Sequence, residues 1–195
     1  MNLEAIFLDR DGTLNYDYGY VGDPEKVEIM PGVIEGLKKI KKNFPSVKFI
    51  VISNQAGVAR GIITIEQVES VNKKISDILF NNGISIDKYY ICPFHPEFSS
   101  KDESICRKPS PSMVLEAAKD FNLNLENTYF IGDKATDVET GKNSGCKTIL
   151  LDSDVYPNEL DELKRKNISP DFFARNFSEA ANFIINKEVP SEANF

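Results

Sequence analysis

Cysteine is scarce in this 195-residue sequence, where Cys92, Cys106 and Cys146 are the only three. A small odd number excludes the even-numbered disulfide framework of secreted mini-domains, so free thiols or part of a metal site are expected instead. Positive charge is also short, with 23 Lys and Arg against 30 Asp and Glu and a net charge of -7. That balance argues against a nucleic-acid backbone as the main partner, while a local basic site can still hold a small phosphate ester. No apolar run approaches the length that crosses a bilayer. The first apolar run begins at Leu3, so no signal peptide is expected. The expectation is a cytoplasmic protein with no membrane or nucleic-acid partner.

What is present is ordinary globular composition, 41% hydrophobic and 27% charged, enough for one core. Residues 1–187 read as a single domain and 188–195 as a flexible C-terminal tail. Turn-bounded apolar runs at Leu3 to Leu8, Val47 to Ile52, Tyr89 to Ile91, Tyr129 to Ile131 and Thr148 to Leu151 predict strands, and Phe172 to Ala174 a weaker sixth. Between them, Val33, Leu37, Ile40 and Phe44 share one helical face. Ile65, Val68, Val71, Ile75 and Ile78 share another, as do Met113, Ala117 and Phe121, and a last helix spans roughly Phe177 to Asn186. Alternation of this kind predicts an α/β fold, a parallel sheet with helices on both faces, in the order 3-2-1-4-5 with a possible edge strand 6. The stretches Leu14 to Met30 and Pro93 to Arg107 break the rhythm, and loops of that length at a catalytic edge are usually functional.

The densest chemistry is Asp9-Arg10-Asp11-Gly12-Thr13, directly after the first strand. Ligands of parallel sheets bind outside the carboxyl ends of the strands. A tight turn there lets Asp9 and Asp11 face one Mg²⁺ while Arg10 points elsewhere. Three further elements, Ser53-Asn54-Gln55, Arg107-Lys108-Pro109 and Gly132-Asp133-Lys134-Ala135-Thr136-Asp137, fall at expected strand ends. In the predicted order Asp9, Ser53 and Asp133 meet at one crevice.

The phrases Leu-Asp-Arg-Asp-Gly-Thr-Leu-Asn, Ser-Asn-Gln-Ala-Gly-Val-Ala-Arg-Gly, Cys-Arg-Lys-Pro-Ser-Pro and Ile-Gly-Asp-Lys-Ala-Thr-Asp span nearly the whole chain. Together they resemble the haloacid dehalogenase superfamily, and within it the capless heptose-bisphosphate and histidinol-phosphate phosphatases. The resemblance implies a capless Rossmannoid fold and Mg²⁺-dependent hydrolysis of a phosphomonoester through an aspartyl-phosphate. The expected reaction is removal of the C7 phosphate of a heptose 1,7-bisphosphate, with histidinol phosphate as the alternative substrate. A non-catalytic sugar-phosphate-binding module is the reading from a different class.

Phosphoryl transfer asks for these residue types. Asp9 is the candidate nucleophile and Asp11 the acid and base, Ser53 donates to a phosphoryl oxygen, and Lys108, at the start of a helix, supplies the cation. Asp9, Asp11 and Asp133 are the expected metal residues, with Asp11 acting through its carbonyl. Lys134 and Asp137 support them. Asn54, Arg60 and Arg107 are expected to bind substrate, and the resemblance implies a substrate contact for Arg107 in particular. The expected partner is a small sugar phosphate bound by a monomer.

The resembled enzymes carry a Zn²⁺ loop with Cys-x-His and Cys-x-Cys-Arg-Lys-Pro. Here Phe94 and Ser104 replace two of those ligands, and the single histidine, His95, is displaced by one position. A closed zinc site needs four N or S ligands, so no structural zinc is expected, and packing around Phe94 and Phe98 is expected to hold the loop.

Overall fold

The computed structural model describes residues 3–189. Strand β1 (Ala5–Leu8) is followed by α1 (Val33–Asn43), β2 (Lys48–Asn54), a one-turn α2 (Ala56–Ala59), α3 (Ile65–Phe80) and β3 (Lys88–Cys92). The second half runs α4 (Ser112–Phe121), β4 (Thr128–Gly132), α5 (Ala135–Ser144), β5 (Lys147–Leu151), α6 (Glu159–Arg165), β6 (Phe172–Ala174) and α7 (Phe177–Glu188). The six strands form one sheet in the order β3-β2-β1-β4-β5-β6, and every pairing is parallel. The expected order is observed, and the sixth strand is present at the edge.

Period-two alternation along the strands divides the core. Ile6 and Leu8 of β1 face α1, α3 and α7, while Ala5 and Phe7 face α4. The second side continues over Leu150 of β5, where Ala135, Val138 and Leu163 bring α5 and α6 down. A close approach joins α1 to α7: a Cβ at Gly36 would lie 2.7 Å from the Phe177 ring. Thr64 caps α3 by accepting from the Gln67 backbone, and Gln67 accepts in return from the Thr64 backbone.

Three expectations change. The expected tail boundary falls inside α7, which continues to Glu188. Glu188 is buried because it accepts from Tyr129 Oη at 2.6 Å and Lys147 Nζ at 2.5 Å; residues 190–195 of that tail lie outside the described residues. Lys108 is not at a helix start, since α4 begins at Ser112, and the lysine arrives on a turn after a short 3-10 segment, Glu103–Cys106. The cysteines Cys92 and Cys106 are not free thiols but are joined, with a Cα–Cα separation of 5.5 Å, because β3 ends beside that segment; only Cys146 is free, and it is buried. Among the described residues no helix is long and apolar enough to cross a membrane.

Candidate active site

The carboxyl ends of β1, β2 and β4 open on a cavity of about 570 Å³ whose wall includes Asp9, Asp11, Ser53, Gln55, Arg107 and Lys108. Asp9 follows β1 and its backbone N–H donates to Ile131 of β4 at 2.9 Å, fixing the carboxylate over the middle of the sheet. Lys108 Nζ donates to Asp9 Oδ1 at 2.7 Å, to Asp137 Oδ1 at 2.6 Å and to the Ile52 carbonyl at 3.0 Å. Burial alone would lower the affinity of this ammonium for its proton, but the Asp137 and Asp9 carboxylates outweigh it and the net shift is upward. Lys108 is therefore a fixed cation at the point where phosphoryl charge would gather.

Asn54 holds that lysine in place. Its Oδ1 accepts from the Lys108 backbone N–H at 3.0 Å and its Nδ2 donates to the Lys108 carbonyl at 3.3 Å. Asn54 lines the cavity, and its amide braces the Lys108 backbone from there. Position in sequence showed a polar group at a strand end; which partner it takes depends on where the loop before α4 returns.

Asp11 and Arg10 differ from expectation in a related way. Arg10 is fully buried, and its guanidinium turns back to donate to Asp11 (Nη2–Oδ2 2.8 Å) and to Asn72 Oδ1 of α3 at 3.0 Å. Asn15 Nδ2 donates to Asp11 Oδ1 at 3.0 Å and Gln55 Nε2 to Oδ2 at 2.9 Å. Burial would raise the Asp11 carboxyl, yet the Arg10 charge and these donors hold it below the ordinary carboxylate range. The Asp11 side chain is thus outside the cluster that suits a cation. Asn72 escaped the sequence reading, as did the contacts of Arg10, Asn15 and Gln55 to Asp11; the one signal was Asn72, a polar residue on the otherwise apolar buried face of α3.

Ligand atoms of Asp9, Asp133 and Asp137 lie within 4.8 Å of one another, and all three residues are buried. Asp133 Oδ1 is buried and has no hydrogen-bond partner among the described residues. Burial and the neighbouring Asp9 and Asp137 charges push the Asp133 carboxyl up to about 8. An orphaned carboxylate oxygen among hard donors fits a divalent cation such as Mg²⁺. Gly12 makes room for this carboxylate: its φ is +89°, and a Cβ there would collide with Asp133 Oδ2. Asp137 gives one oxygen to Lys108 and the other to the Lys134 backbone N–H at 3.1 Å, which suits a supporting position. Burial and Asp9 push its carboxyl up to about 6. Lys134 itself is held by Asp17 at 3.4 Å and lies over the Tyr156 ring at 4.3 Å.

Arg107 lines the same cavity, and its buried Nη1 has no partner among the described residues. Burial, with Arg60 nearby, lowers the proton affinity of its guanidinium. Arg60 is not part of the cavity wall; it pairs with Glu97 at 3.3 Å and packs on the Phe98 ring at 4.8 Å. Phe98 is exposed under this cation, so of the two aromatics expected to hold the loop only Phe94 packs against the core. The cavity lining also includes Asp17, Tyr156, Glu159 and Glu162, none of which motif reading singled out.

Comparison with known proteins places this geometry. A family model described as HAD-hydrolase-like matches residues 105–180, and one described as mitochondrial PGP phosphatase matches residues 1–82. The D,D-heptose 1,7-bisphosphate phosphatase of B. bronchiseptica, solved with magnesium and phosphate, superposes with a TM-score of 0.81 at 23% identity over 94% of this chain and 99% of that one. A putative HAD-like phosphatase from Mesorhizobium loti superposes with a TM-score of 0.71 at 31% identity, covering 78% of this chain and 74% of its own. Fold and site define a HAD-like phosphatase, a phosphoric monoester hydrolase.

Sequence relatives narrow the class. The chain is 36% identical to the D-glycero-D-manno-heptose-1,7-bisphosphate 7-phosphatase of Chlorobaculum tepidum, over 93% of this chain and 94% of the relative. It is 39% identical to the D-glycero-beta-D-manno-heptose-1,7-bisphosphate 7-phosphatase of Helicobacter pylori, over 76% and 83%. It belongs to this heptose-bisphosphate phosphatase family.

Proposed function

We propose that the chain hydrolyses the C7 phosphate of D-glycero-D-manno-heptose 1,7-bisphosphate, with Asp9 as nucleophile and Mg²⁺ as cofactor. The observation that carries the choice of a bisphosphate is Arg107: a half-buried guanidinium, its Nη1 unpartnered among the described residues, in the wall of the cavity that holds Asp9. A buried N–H without an acceptor is costly, and a second phosphate is the anion that would satisfy it. The acidic groups that an amine would need are already committed. Glu159 accepts from the Ala135 backbone, Asp17 from Lys134 and Tyr156, and Glu162 from Lys166. That pairing disfavours histidinol phosphate.

In this reading Asp9 Oδ1 stays on Lys108 and the other oxygen attacks phosphorus. The new bond joins that oxygen to the phosphoryl group as the ester P–O bond breaks, and Asp11 gives its proton to the departing alkoxide. Asp11 is held as a carboxylate before substrate enters; the arriving phosphoryl charge raises its proton affinity, and the proton it then gives to the alkoxide comes from the hydroxyl of the entering phosphate monoester. In the second half Asp11 takes a proton from water, the water oxygen attacks phosphorus, and the bond to Asp9 breaks to release phosphate. Ser53 and Lys108 hold the equatorial oxygens through both displacements. Asp9, Asp133 and the Asp11 carbonyl would hold Mg²⁺, with Asp137 in support; when bound it neutralises phosphoryl charge and orients the group in line. No zinc is proposed for the loop 93–105, because Cys92 and Cys106 are bonded to each other.

The test is phosphate release with Mg²⁺ from heptose 1,7-bisphosphate, histidinol phosphate, fructose bisphosphate and an aryl phosphate. Heptose bisphosphate should show the highest kcat/KM, and Arg107→Ala should harm it far more than an ester lacking the distal phosphate. A preference for histidinol phosphate, or equal losses on both kinds of ester, would overturn the substrate assignment.

A further inference from the structure

Gln55 joins two groups with different tasks in the reaction, the proton-carrying Asp11 and the phosphoryl-holding Ser53. Its single side-chain nitrogen lies 2.9 Å from Asp11 Oδ2 and 2.8 Å from Ser53 Oγ, and the residue is buried in the cavity wall. The position is set from the backbone, where the Gln55 N–H donates to the Cys92 carbonyl at 2.8 Å as the chain leaves β2. An ionised carboxylate only accepts hydrogen bonds, so the amide atom facing Asp11 is the nitrogen, and its second N–H is left for Ser53.

That leaves one direction for the serine proton. A hydroxyl has one donor and two lone pairs. With a lone pair taken by Gln55, and no protein group among the described residues receiving the Ser53 proton, the O–H is an unspent donor in the cavity wall. We infer that Gln55 is a positioning residue that aims the Ser53 hydroxyl at the transferring phosphoryl group. A serine with no such partner spends its donor on whichever acceptor is nearest, and this site is crowded with carboxylates. Asp11 does not depend on Gln55 in the same way, because Arg10 and Asn15 continue to hold it.

The inference rests on the assignment of Ser53 to the phosphoryl group, and a double-mutant cycle separates the two. Kinetics are read on the best ester of the panel for wild type, Gln55→Met, Ser53→Ala and the double variant. Ser53→Ala should lower kcat by about 10²-fold, the scale of losing one oriented donor to a developing oxyanion. Gln55→Met should lower kcat about 10-fold in the wild-type background and less than about 2-fold in the Ser53→Ala background, since residues acting through one another are non-additive. Gln55→Glu keeps the shape of glutamine but replaces the donor by an acceptor that captures the Ser53 proton, so its kcat should fall below that of Gln55→Met. It also carries the same cycle should Gln55→Met fail to fold. Equal losses from the Gln55 substitutions in both backgrounds, or a Gln55→Glu enzyme as active as wild type, would overturn the positioning role. A fully active Ser53→Ala enzyme would instead remove the Ser53 assignment, and this inference with it.

Discussion

Lys108 Nζ sits 2.7 Å from Asp9 Oδ1 although 99 residues separate them in the chain, and the same ammonium lies 2.6 Å from Asp137. All three side chains are nearly inaccessible to solvent. A buried cation between two carboxylates serves both the fold and the reaction. Removing it leaves uncompensated charge in a poorly solvated place, at a typical cost of about 3–5 kcal/mol.

Lys108→Met should therefore lose on two measurements. Its kcat/KM should fall by about 10³-fold or more, because a fixed cation at the phosphoryl group is missing, and its melting temperature in the absence of Mg²⁺ should drop by several degrees. Thermal unfolding and steady-state kinetics check the pair. A variant with wild-type stability would mean that the ion pairs contribute nothing net to folding.

Replacing the two β1-edge aspartates should interrupt different halves of the cycle. Asp9→Asn should show no turnover while unfolding cooperatively, because an amide cannot form the acyl-phosphate. Asp11→Asn, given an aryl phosphate whose leaving group needs no proton, should form phosphorylated Asp9 and hydrolyse it slowly. Mass spectrometry of acid-quenched Asp11→Asn is the measurement. Phosphate found on another residue, or multiple turnover by Asp9→Asn, would sink the nucleophile assignment.

The metal-free protein should lose stability as pH rises. Asp133 is pushed up to about 8 and Asp137 to about 6 by burial and by neighbouring carboxylates. Folded values above the unfolded ones mean that folding takes up protons. Their contribution is whole below the ordinary carboxylate range, at about pH 4, and is lost as pH climbs through those folded values. With chelator present, the melting temperature should fall between about pH 5 and 8, and Mg²⁺ should flatten that slope. Asp133→Asn should be inactive yet more stable than wild type at the alkaline end. A metal-free protein whose stability rises across this window would contradict the carboxylate cluster.

The Cys92–Cys106 link makes a countable prediction. Thiol titration of unreduced, denatured protein should find one reactive thiol, Cys146, and three after reduction. Closing a loop of this length restrains the unfolded chain by about 3 kcal/mol in the chain-entropy model, so reduction should lower the melting temperature. Three thiols before reduction, or stoichiometric zinc in the purified protein, would show that these sulfurs have another state.

Much of the molecule was legible before folding. Strand positions and their order follow from local facts: apolar runs of strand length, turn residues after them, helical spacing between them, and the restricted handedness of parallel crossovers. The same logic placed Asp9, Ser53 and Asp133 at one crevice, because strand ends converge whatever the loops do. Glu188 was misjudged because its partners, Tyr129 and Lys147, lie on different strands. Nothing local distinguishes a terminal glutamate that is pinned from one that is not.

The chemical class was thus determined by the sequence itself: an aspartate pair after the first strand, a lysine before a proline and an aspartate-rich turn after the fourth strand carry their meaning in spacing and type. Tertiary structure decided which partner each polar group takes. It turned Arg10 onto Asp11, set Asn54 against the Lys108 backbone, paired Arg60 with Glu97, joined Cys92 to Cys106, and left Arg107 Nη1 and Asp133 Oδ1 without partners among the described residues. The reason is physical. A hydrogen bond or ion pair depends on distances of a few ångströms between side chains far apart in the chain, and those distances exist only once the sheet and its loops have closed around them.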